Sequence, residues 1–232
     1  VSDKRRLMAV LAGRMHNQGI SRVAVLQERE GRTEAEAWLS AFREQMAPLG
    51  LTIVQQTEFD AADEPAGMAT FDAMRGVGAE AVLLLSAEEQ AQGMFASWSP
   101  ETIGMPVYMT EWSFSAGLVA QAGDHLDGVV LVSGRNLLSQ DARYLDFAVR
   151  YHEKHGVEPD AAAMYAYEAM SILVEALRAA PDTTPDALKQ TILQIGTFRG
   201  LQSEIVFDGY GDASRPVCSF SFDAGALVPL PE

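Results

Sequence analysis

The first part of the chain alternates two hydrophobic patterns. Short continuous apolar runs predict buried strands at residues 22–26, 51–54, 81–85, 106–109 and 128–132. Between these runs, apolar residues recur at helical spacing and predict helices at residues 7–15, 38–49, 71–74, 90–98 and 115–122. Strands that alternate with helices form right-handed βαβ units. Residues 1–133 are therefore expected to form a complete Rossmann-like α/β lobe around a doubly wound parallel sheet.

The next segment, residues 134–200, shows helical patterns only. Tyr144, Phe147 and Tyr151 form an apolar stripe on one helix, and residues 162–177 form a second helix that is apolar nearly all round. A helix of this kind is expected to be buried on several sides. Because no strands of its own accompany it, we assign residues 134–200 to the helical part of another, incomplete lobe.

A third helix in this segment has a clear start. Thr184 has the chemistry of an N-cap, and Pro185 fits the first helical position. The closing residues 201–232 carry short strand patterns, separated by the turn sequences Asp208-Gly209 and Asp223-Ala-Gly225. We expect them to supply C-terminal strands and a hinge-like segment.

Composition removes several classes of partner. The net charge of −15, from 17 basic and 32 acidic residues, leaves no basic footprint for nucleic acid or for an anionic membrane surface. The single Cys218 cannot form an internal disulfide or a cysteine zinc cluster. No cofactor motif and no metal-ligand spacing occurs, so we expect neither group. The first residues form no signal peptide, which predicts either a mature extracytoplasmic chain or a cytoplasmic one.

Several elements then combine into a recognisable order. They are the strand Val23–Leu26, a small residue (Ser86) closing the most apolar strand, the sequence Gly104-Met-Pro106 before the next strand, the segment Tyr151–Tyr165, and the ending Gly200…Phe207-Asp208…Gly211-Asp212. This order resembles the type I periplasmic binding proteins, specifically the branched-chain amino acid (Leu/Ile/Val) receptor group of ABC transporters. The resemblance extends from Lys4 to Pro229.

The resemblance implies two lobes that hold a small ligand between them. The membrane permease subunits of an ABC importer, or a signalling domain, would recognise the form in which the two lobes have closed on the ligand. The location would be periplasmic or extracytoplasmic. Members usually carry another half-lobe ahead of the position of Val1, so we expect this sequence to be the C-terminal two-thirds of a receptor, a natural truncation or one part of a split assembly. The faces of the helix at 162–177 would then be uncovered, and a large exposed apolar patch predicts a homo-oligomer.

Candidate ligand-binding residues follow from the sheet. Doubly wound sheets bind ligands beyond the carboxyl ends of their strands, which selects the loops after Leu26, Leu85 and Met109. After the first of these, Arg32 offers a planar cation suited to a carboxylate. Thr33 lies at the start of a helix, where it could bind an anion or cap the helix. A solvated charged loop is the alternative for both residues.

The other candidates depend partly on the resemblance. Ser86 and Glu88 follow the second selected strand. Glu111 matches the position from which relatives receive a ligand ammonium group, and Trp112 beside it could form an apolar wall or a cation–π face. Tyr165 matches the aromatic residue that the other lobe lays over the ligand. Each has an ordinary alternative: helix-start residues for the carboxylates and core packing for the aromatic rings.

The favoured function is an extracytoplasmic solute-binding protein for an amino acid or a related small carboxylate or amide. A ligand-sensing domain of a signalling receptor or regulator is the first alternative. A hydrolase that uses Glu88 and Glu111 is the second. The chain contains no nucleophile elbow, phosphate-binding loop or metalloprotease motif, so we expect no enzyme.

Overall fold

The structure, a computed structural model, describes residues 3–60 and 68–231. The chain divides into two compact units. The sheet unit comprises Lys4–Gly134 together with the segment from Val217 onward. The helical unit comprises Arg135–Pro216 together with Asp3.

The described residues contain the following helices and strands. The helices are α1 (Lys4–Asn17), α2 (Arg32–Met46), α3 (Met68–Gly76), α4 (Glu88–Phe95), α5 (Pro100–Ile103), α6 (Ala116–Ala122), α7 (Ala142–His155), α8 (Ala161–Ala179) and α9 (Pro185–Ile195). The strands are β1 (Arg22–Glu28), β2 (Thr52–Phe59), β3 (Ala81–Leu85), β4 (Val107–Thr110), β5 (Val130–Ser133), β6 (Thr197–Arg199), β7 (Glu204–Phe207), β8 (Ala213–Ser214), β9 (Cys218–Asp223) and β10 (Ala226–Pro229).

The sheet unit is built on a seven-stranded sheet in the order β10-β9-β5-β4-β3-β1-β2. Strands β1 to β5 are mutually parallel, which confirms the predicted doubly wound lobe. Their order reverses direction between β1 and β3, and this reversal is the topological switch point where such sheets bind ligands. The five expected strands carry two further strands, because β9 pairs antiparallel with β5 and β10 with β9.

The core explains why these segments form strands and helices. Helices α1 and α2 bury Leu11, Met15 and Phe42 against alternate residues of the central strands, such as Val25 and Leu83. The intervening strand residues point to the opposite face, as the two-residue period of a strand requires. Both faces of β1, β3, β4 and β5 are therefore buried, which accounts for their apolar runs, whereas the edge strand β2 is mostly half-buried or exposed.

The predicted helix cap and hairpin turn are confirmed, whereas several predicted bounds shift; the strand predicted at residues 51–54, for example, covers Thr52–Phe59. Thr184 caps α9 by accepting a hydrogen bond from the Ala187 N–H at 3.3 Å. The turn after Asp223 places Ala224 and Gly225 at positive φ, the conformation of a two-residue hairpin turn. The helix predicted at residues 90–98 instead covers Glu88–Phe95, where its acidic first turn complements the helix dipole.

The helical unit combines α7, α8 and α9 with the antiparallel sheet β6-β7-β8. Residues 201–232, which the sequence groups as one closing segment, are thus distributed over both sheets. A small core forms around Phe147, Met164 and Leu201. Among the described residues, no helix combines the length and the apolarity needed to cross a membrane.

The expected burial of α8 on several sides is wrong for the described part of the chain. Its buried residues are Met164, Glu168 and Ala176, which occupy one side of the helix. Four apolar residues on another face are 38–57% exposed, and we call them the α8 stripe: Tyr167, Met170, Val174 and Leu177. Their spacing places them on one helical face. The small core and α9 cover only part of α8, which leaves this face in contact with solvent.

Candidate functional site

Three parallel strands end side by side at the carboxyl edge of the sheet unit. They are β1, β3 and β4, which are neighbours in the sheet. Because carboxyl ends of parallel strands share one edge, the segments that follow these strands lie together there. Six of the seven sequence-predicted residues belong to these segments: Arg32, Thr33, Ser86, Glu88, Glu111 and Trp112. The seventh, Tyr165, lies on α8 in the helical unit.

The segment after β1 leads into α2, whose start has no side-chain cap. Its N-cap is Gly31, which provides no side-chain hydrogen bond, so the expectation that Thr33 might cap the helix is wrong. The Arg32 side chain is 68% exposed, and its nearest acidic partner is Glu58 at 4.0 Å. The start of a 15-residue helix that has no side-chain cap, beside a guanidinium group, is suited to an anion.

The segment after β3 is held by its neighbours. Ser86 is fully buried, and its hydroxyl lacks a hydrogen-bond partner among the described residues. Its carbonyl accepts a hydrogen bond from the Ser113 hydroxyl at 2.7 Å. Glu88 Oε1 accepts hydrogen bonds from the Gln92 amide at 2.9 Å and from the Ser115 hydroxyl. Glu88 therefore joins the starts of α4 and α6.

The segment after β4 joins that strand to β5. Glu111 is half-buried, and its Oε2 accepts hydrogen bonds from the Ser133 hydroxyl at 2.7 Å and the Gly134 N–H at 2.8 Å. These bonds fix the carboxylate at the edge of the sheet. Trp112 is half-buried and packs against the core formed with α1 and α2. Its ring therefore has a packing role, beside any contact with a ligand.

Sequence reasoning missed Glu28, the last residue of β1. Its side chain is almost fully buried, with the residue 3% exposed, and it accepts a hydrogen bond from the Ala87 N–H at 2.6 Å. Burial raises the pKa of Glu28, and hydrogen bonds from the N–H groups of Ala87 and Gly31 partly offset this effect, while the Glu30 charge adds to it. The available signal was an acidic residue that ends an otherwise apolar strand shortly before a glycine.

In the helical unit, Tyr165 belongs to a buried charged cluster. The Arg215 guanidinium lies 4.9 Å from the Tyr165 ring centroid and pairs with Glu168 at 2.9 Å. Glu168 also accepts a hydrogen bond from the Leu201 N–H at 2.8 Å. Tyr165 is half-buried and packs against the small core of this unit. The cluster therefore fixes the position of its ring.

A cavity of about 140 Å³ also lies in the helical unit. It is lined by residues of α7, α8, β6 and β7, among them Arg143, Glu168, Ser171 and Phe198. None of the sequence-predicted ligand-binding residues lines it, so the cavity does not coincide with the chemistry of the carboxyl edge. Among the residues that the structure describes, no cluster of His, Cys, Asp and Glu is arranged to hold a metal ion.

The fold and the carboxyl edge define a class of protein: a doubly wound α/β domain whose polar loops gather where such sheets bind small ligands. The sequence model described as periplasmic binding protein matches residues 1–225, and the chain therefore belongs to the periplasmic binding protein family. The resemblance inferred from the sequence is thus confirmed. No significant match to a curated protein was found.

Solved structures confirm the fold. The leucine-binding protein LivK of Thermotoga maritima is 18% identical and superimposes with a TM-score of 0.80, over 98% of this chain and 65% of that one. An ABC transporter substrate-binding protein of Desulfitobacterium hafniense in complex with Leu is 21% identical, with a TM-score of 0.73, over 98% and 65% of the two chains. An ABC transporter solute-binding protein of R. palustris in complex with benzoate is 14% identical, with a TM-score of 0.75, over 98% and 62%.

The chain spans about 65% of the length of these structures. At identities near 20% the likeness shows the fold alone. The carboxyl edge and the charged cluster around Tyr165 are therefore the observations from which a function must be argued.

Proposed function

We propose that the chain belongs to an extracytoplasmic solute-binding protein that delivers a small carboxylate, and most simply an amino acid, to the permease subunits of an ABC importer. The observation that carries the proposal is the separation of charge along one edge of the sheet. A cationic anchor, Arg32 at the start of α2, follows β1. A carboxylate, Glu111, follows β4.

This arrangement fits a zwitterion. Only β3 separates β1 from β4, so the ends of these two strands are about 10 Å apart, or two interstrand spacings, and Arg32 and Glu111 belong to the segments that follow them. The ligand carboxylate would bind at Arg32 and the start of α2, and the ligand ammonium group would bind at Glu111. Tyr165 keeps its proposed role as an aromatic ligand contact; within the helical unit its ring lies against Arg215. Trp112 would form the apolar wall.

The other two functions receive less support from the contacts. Hydrolysis by Glu88 and Glu111 would need two carboxylates directed at one bond. Instead, Glu88 connects α4 to α6, and Glu111 connects β4 to β5. A ligand-sensing domain of a signalling receptor or regulator would use the same edge, and no contact within the two units favours it over transport.

A thermal-shift screen of the full-length protein tests the proposal. L-Leucine, L-isoleucine and benzoate each carry a carboxylate, and at least one of them is expected to raise the unfolding temperature. A ligand present at 100 times its Kd stabilises the folded state by about 2.7 kcal/mol. Neutral sugars of similar size serve as the control and should produce no shift. Stabilisation by the sugars and by none of the carboxylates would contradict the proposal.

We further propose that the α8 stripe is covered by a second copy of the chain. An apolar face without charged residues at its centre can pair with itself about a twofold axis.

Met170→Glu is expected to convert a concentration-dependent dimer into a monomer in sedimentation equilibrium, because it buries a charge in that contact. Val157→Glu is the matched control, since Val157 is 58% exposed and lies outside α8, against 57% for Met170. A wild-type chain that is monomeric at all concentrations would refute self-association.

A further inference from the structure

Glu28 lies where the two halves of the parallel sheet meet. It ends β1 next to β3, which is the switch point of the sheet. It is 3% exposed in spite of its charge, and its Oε2 accepts a hydrogen bond from Ala87, the residue that precedes α4. A carboxylate is seldom buried unless its oxygens have partners. Here the partner belongs to another loop of the candidate site.

The second oxygen of Glu28 lies against Gly31, the N-cap of α2. A Cβ atom on Gly31 would lie 1.5 Å from Glu28 Oε1, so no larger residue fits while the carboxylate keeps this position. The N–H of Gly31 is one of the two backbone donors that lower the pKa of Glu28. The carboxylate therefore connects the starts of α2 and α4, the two helices on either side of the switch point.

The loop after β4 is in contact with the same point. The Cβ position of Gly31 lies 3.1 Å from Cζ2 of Trp112. The segments after β1 and β3 thus meet at one buried carboxylate, and Trp112 of the loop after β4 lies beside Gly31. Arg32 directly follows Gly31, and Ser86 directly precedes Ala87, so the placement of both depends on these contacts.

We infer that Glu28 is the positioning residue of the binding edge: it holds the segments after β1 and β3 in the arrangement that receives the ligand. The inference rests on the proposed function, because it assigns Glu28 a role in preparing that same edge. Glu28 is buried and acts through Gly31, Ala87 and the helix starts that these residues begin. It is not itself a ligand contact.

The role requires a carboxylate. Both oxygens of an ionised glutamate accept hydrogen bonds, and each here faces a backbone N–H. A glutamine has one acceptor and one donor group, so it can satisfy only one of the two N–H groups and directs its own N–H₂ at the other. An aspartate is shorter by one methylene group and cannot reach both. Glu28→Gln therefore removes one of the two hydrogen bonds while the volume of the side chain stays almost the same.

Hydrogen exchange of the full-length protein, followed by NMR, tests without any ligand whether Glu28 holds the segments after β1 and β3 together. In Glu28→Gln, the amide of Gly31 or Ala87 is expected to exchange about 10-fold faster than in the wild type, because one hydrogen bond is lost. Amides in the middle of β3 should keep their rates. Equal rates at Gly31 and Ala87 in the two proteins would overturn the inference, whether or not any ligand binds.

Affinity for L-leucine, measured by titration calorimetry, tests whether the contacts of Glu28 with Gly31 and Ala87 contribute to ligand binding. Glu28→Gln is expected to weaken it about 10-fold. Gly31→Ala displaces the same carboxylate and should weaken it to a similar extent. Because both changes act on one contact, the double variant should bind little worse than either single variant. Additive losses would show that Gly31 and Glu28 act separately, and would overturn the proposed connection.

Glu80→Gln is the matched control. Glu80 also accepts two backbone hydrogen bonds on the same sheet, from the N–H groups of Ser21 at 2.6 Å and Arg22 at 3.0 Å, but at the amino edge. Its replacement is expected to leave L-leucine affinity within twofold of the wild type. An equal loss in both variants would reduce Glu28 to a general structural role. If exchange is faster in Glu28→Gln but the wild type does not bind L-leucine, the proposed amino acid ligand is wrong. The positioning role of Glu28 is then still supported.

Discussion

Replacing Glu168 by alanine is expected to lower the free energy of unfolding of the helical unit by about 3–5 kcal/mol. The Glu168 and Arg215 side chains are only 4% and 9% exposed, and their charged atoms are 2.9 Å apart. Removing one partner leaves the other charge buried without compensation. Glu168→Ala also removes the acceptor of the Leu201 N–H, which is part of the same buried region. Urea unfolding followed by far-UV circular dichroism measures the loss.

Two further variants separate the charge effect from the loss of packing. Glu175→Ala changes the same residue type on the same helix at an exposed position, and should cost less than about 0.5 kcal/mol. Glu168→Leu combined with Arg215→Met removes both charges and should recover much of the loss, because an apolar pair has no desolvation penalty. The explanation fails if Glu168→Ala is as stable as Glu175→Ala.

The largest functional effect is expected for Glu111→Gln. Glutamine can keep a hydrogen bond to Ser133 or Gly134 through its oxygen but loses the charge that attracts an ammonium group. We expect the thermal shift produced by L-leucine to disappear, because losing one partner of a charge pair that a bound ligand buries costs about 2–5 kcal/mol. Stability without ligand should change little.

Arg32→Gln supplies the complementary test. This change removes the carboxylate anchor, so it should weaken L-leucine and benzoate alike, whereas Glu111→Gln should weaken only the ligand that has an ammonium group. Arg6→Gln, at an exposed position of α1, removes the same charge elsewhere in the sheet unit and should leave both shifts intact. If Glu111→Gln and Arg32→Gln both left the L-leucine shift intact, the assigned edge would be wrong.

Much of the fold could be predicted from the sequence because four of its five parallel strands, β1, β3, β4 and β5, are buried on both faces. Such strands appear as continuous apolar runs, and residues 81–85 were bounded correctly as β3. Helix starts that have a side-chain cap, such as Thr184 at the start of α9, could equally be predicted from the sequence. The pairing of β9 with β5 was not, because it joins segments far apart in the chain and their sequences carry no register signal.

The candidate site was less predictable, for a physical reason. Sequence order selects loops at the carboxyl edge but does not say which polar atoms are already occupied. Glu88 looked like a ligand residue, yet it accepts hydrogen bonds from Gln92 and Ser115. Glu28 looked like the end of a strand, yet it lies buried between two loops. The ligand-binding roles assigned to all seven residues remain predictions: Arg32, Thr33, Ser86, Glu88, Glu111, Trp112 and Tyr165.

The central claim is that a small carboxylate binds at the carboxyl edge of the sheet unit. Hydrogen–deuterium exchange of the full-length protein, with and without saturating L-leucine or benzoate, tests it most directly. We expect the ligand to slow exchange in the segments that begin α2 and α4 and in the short 3-10 helix Glu111–Ser113. Protection confined to the residues that line the helical-unit cavity, or no protection with any carboxylate, would contradict it.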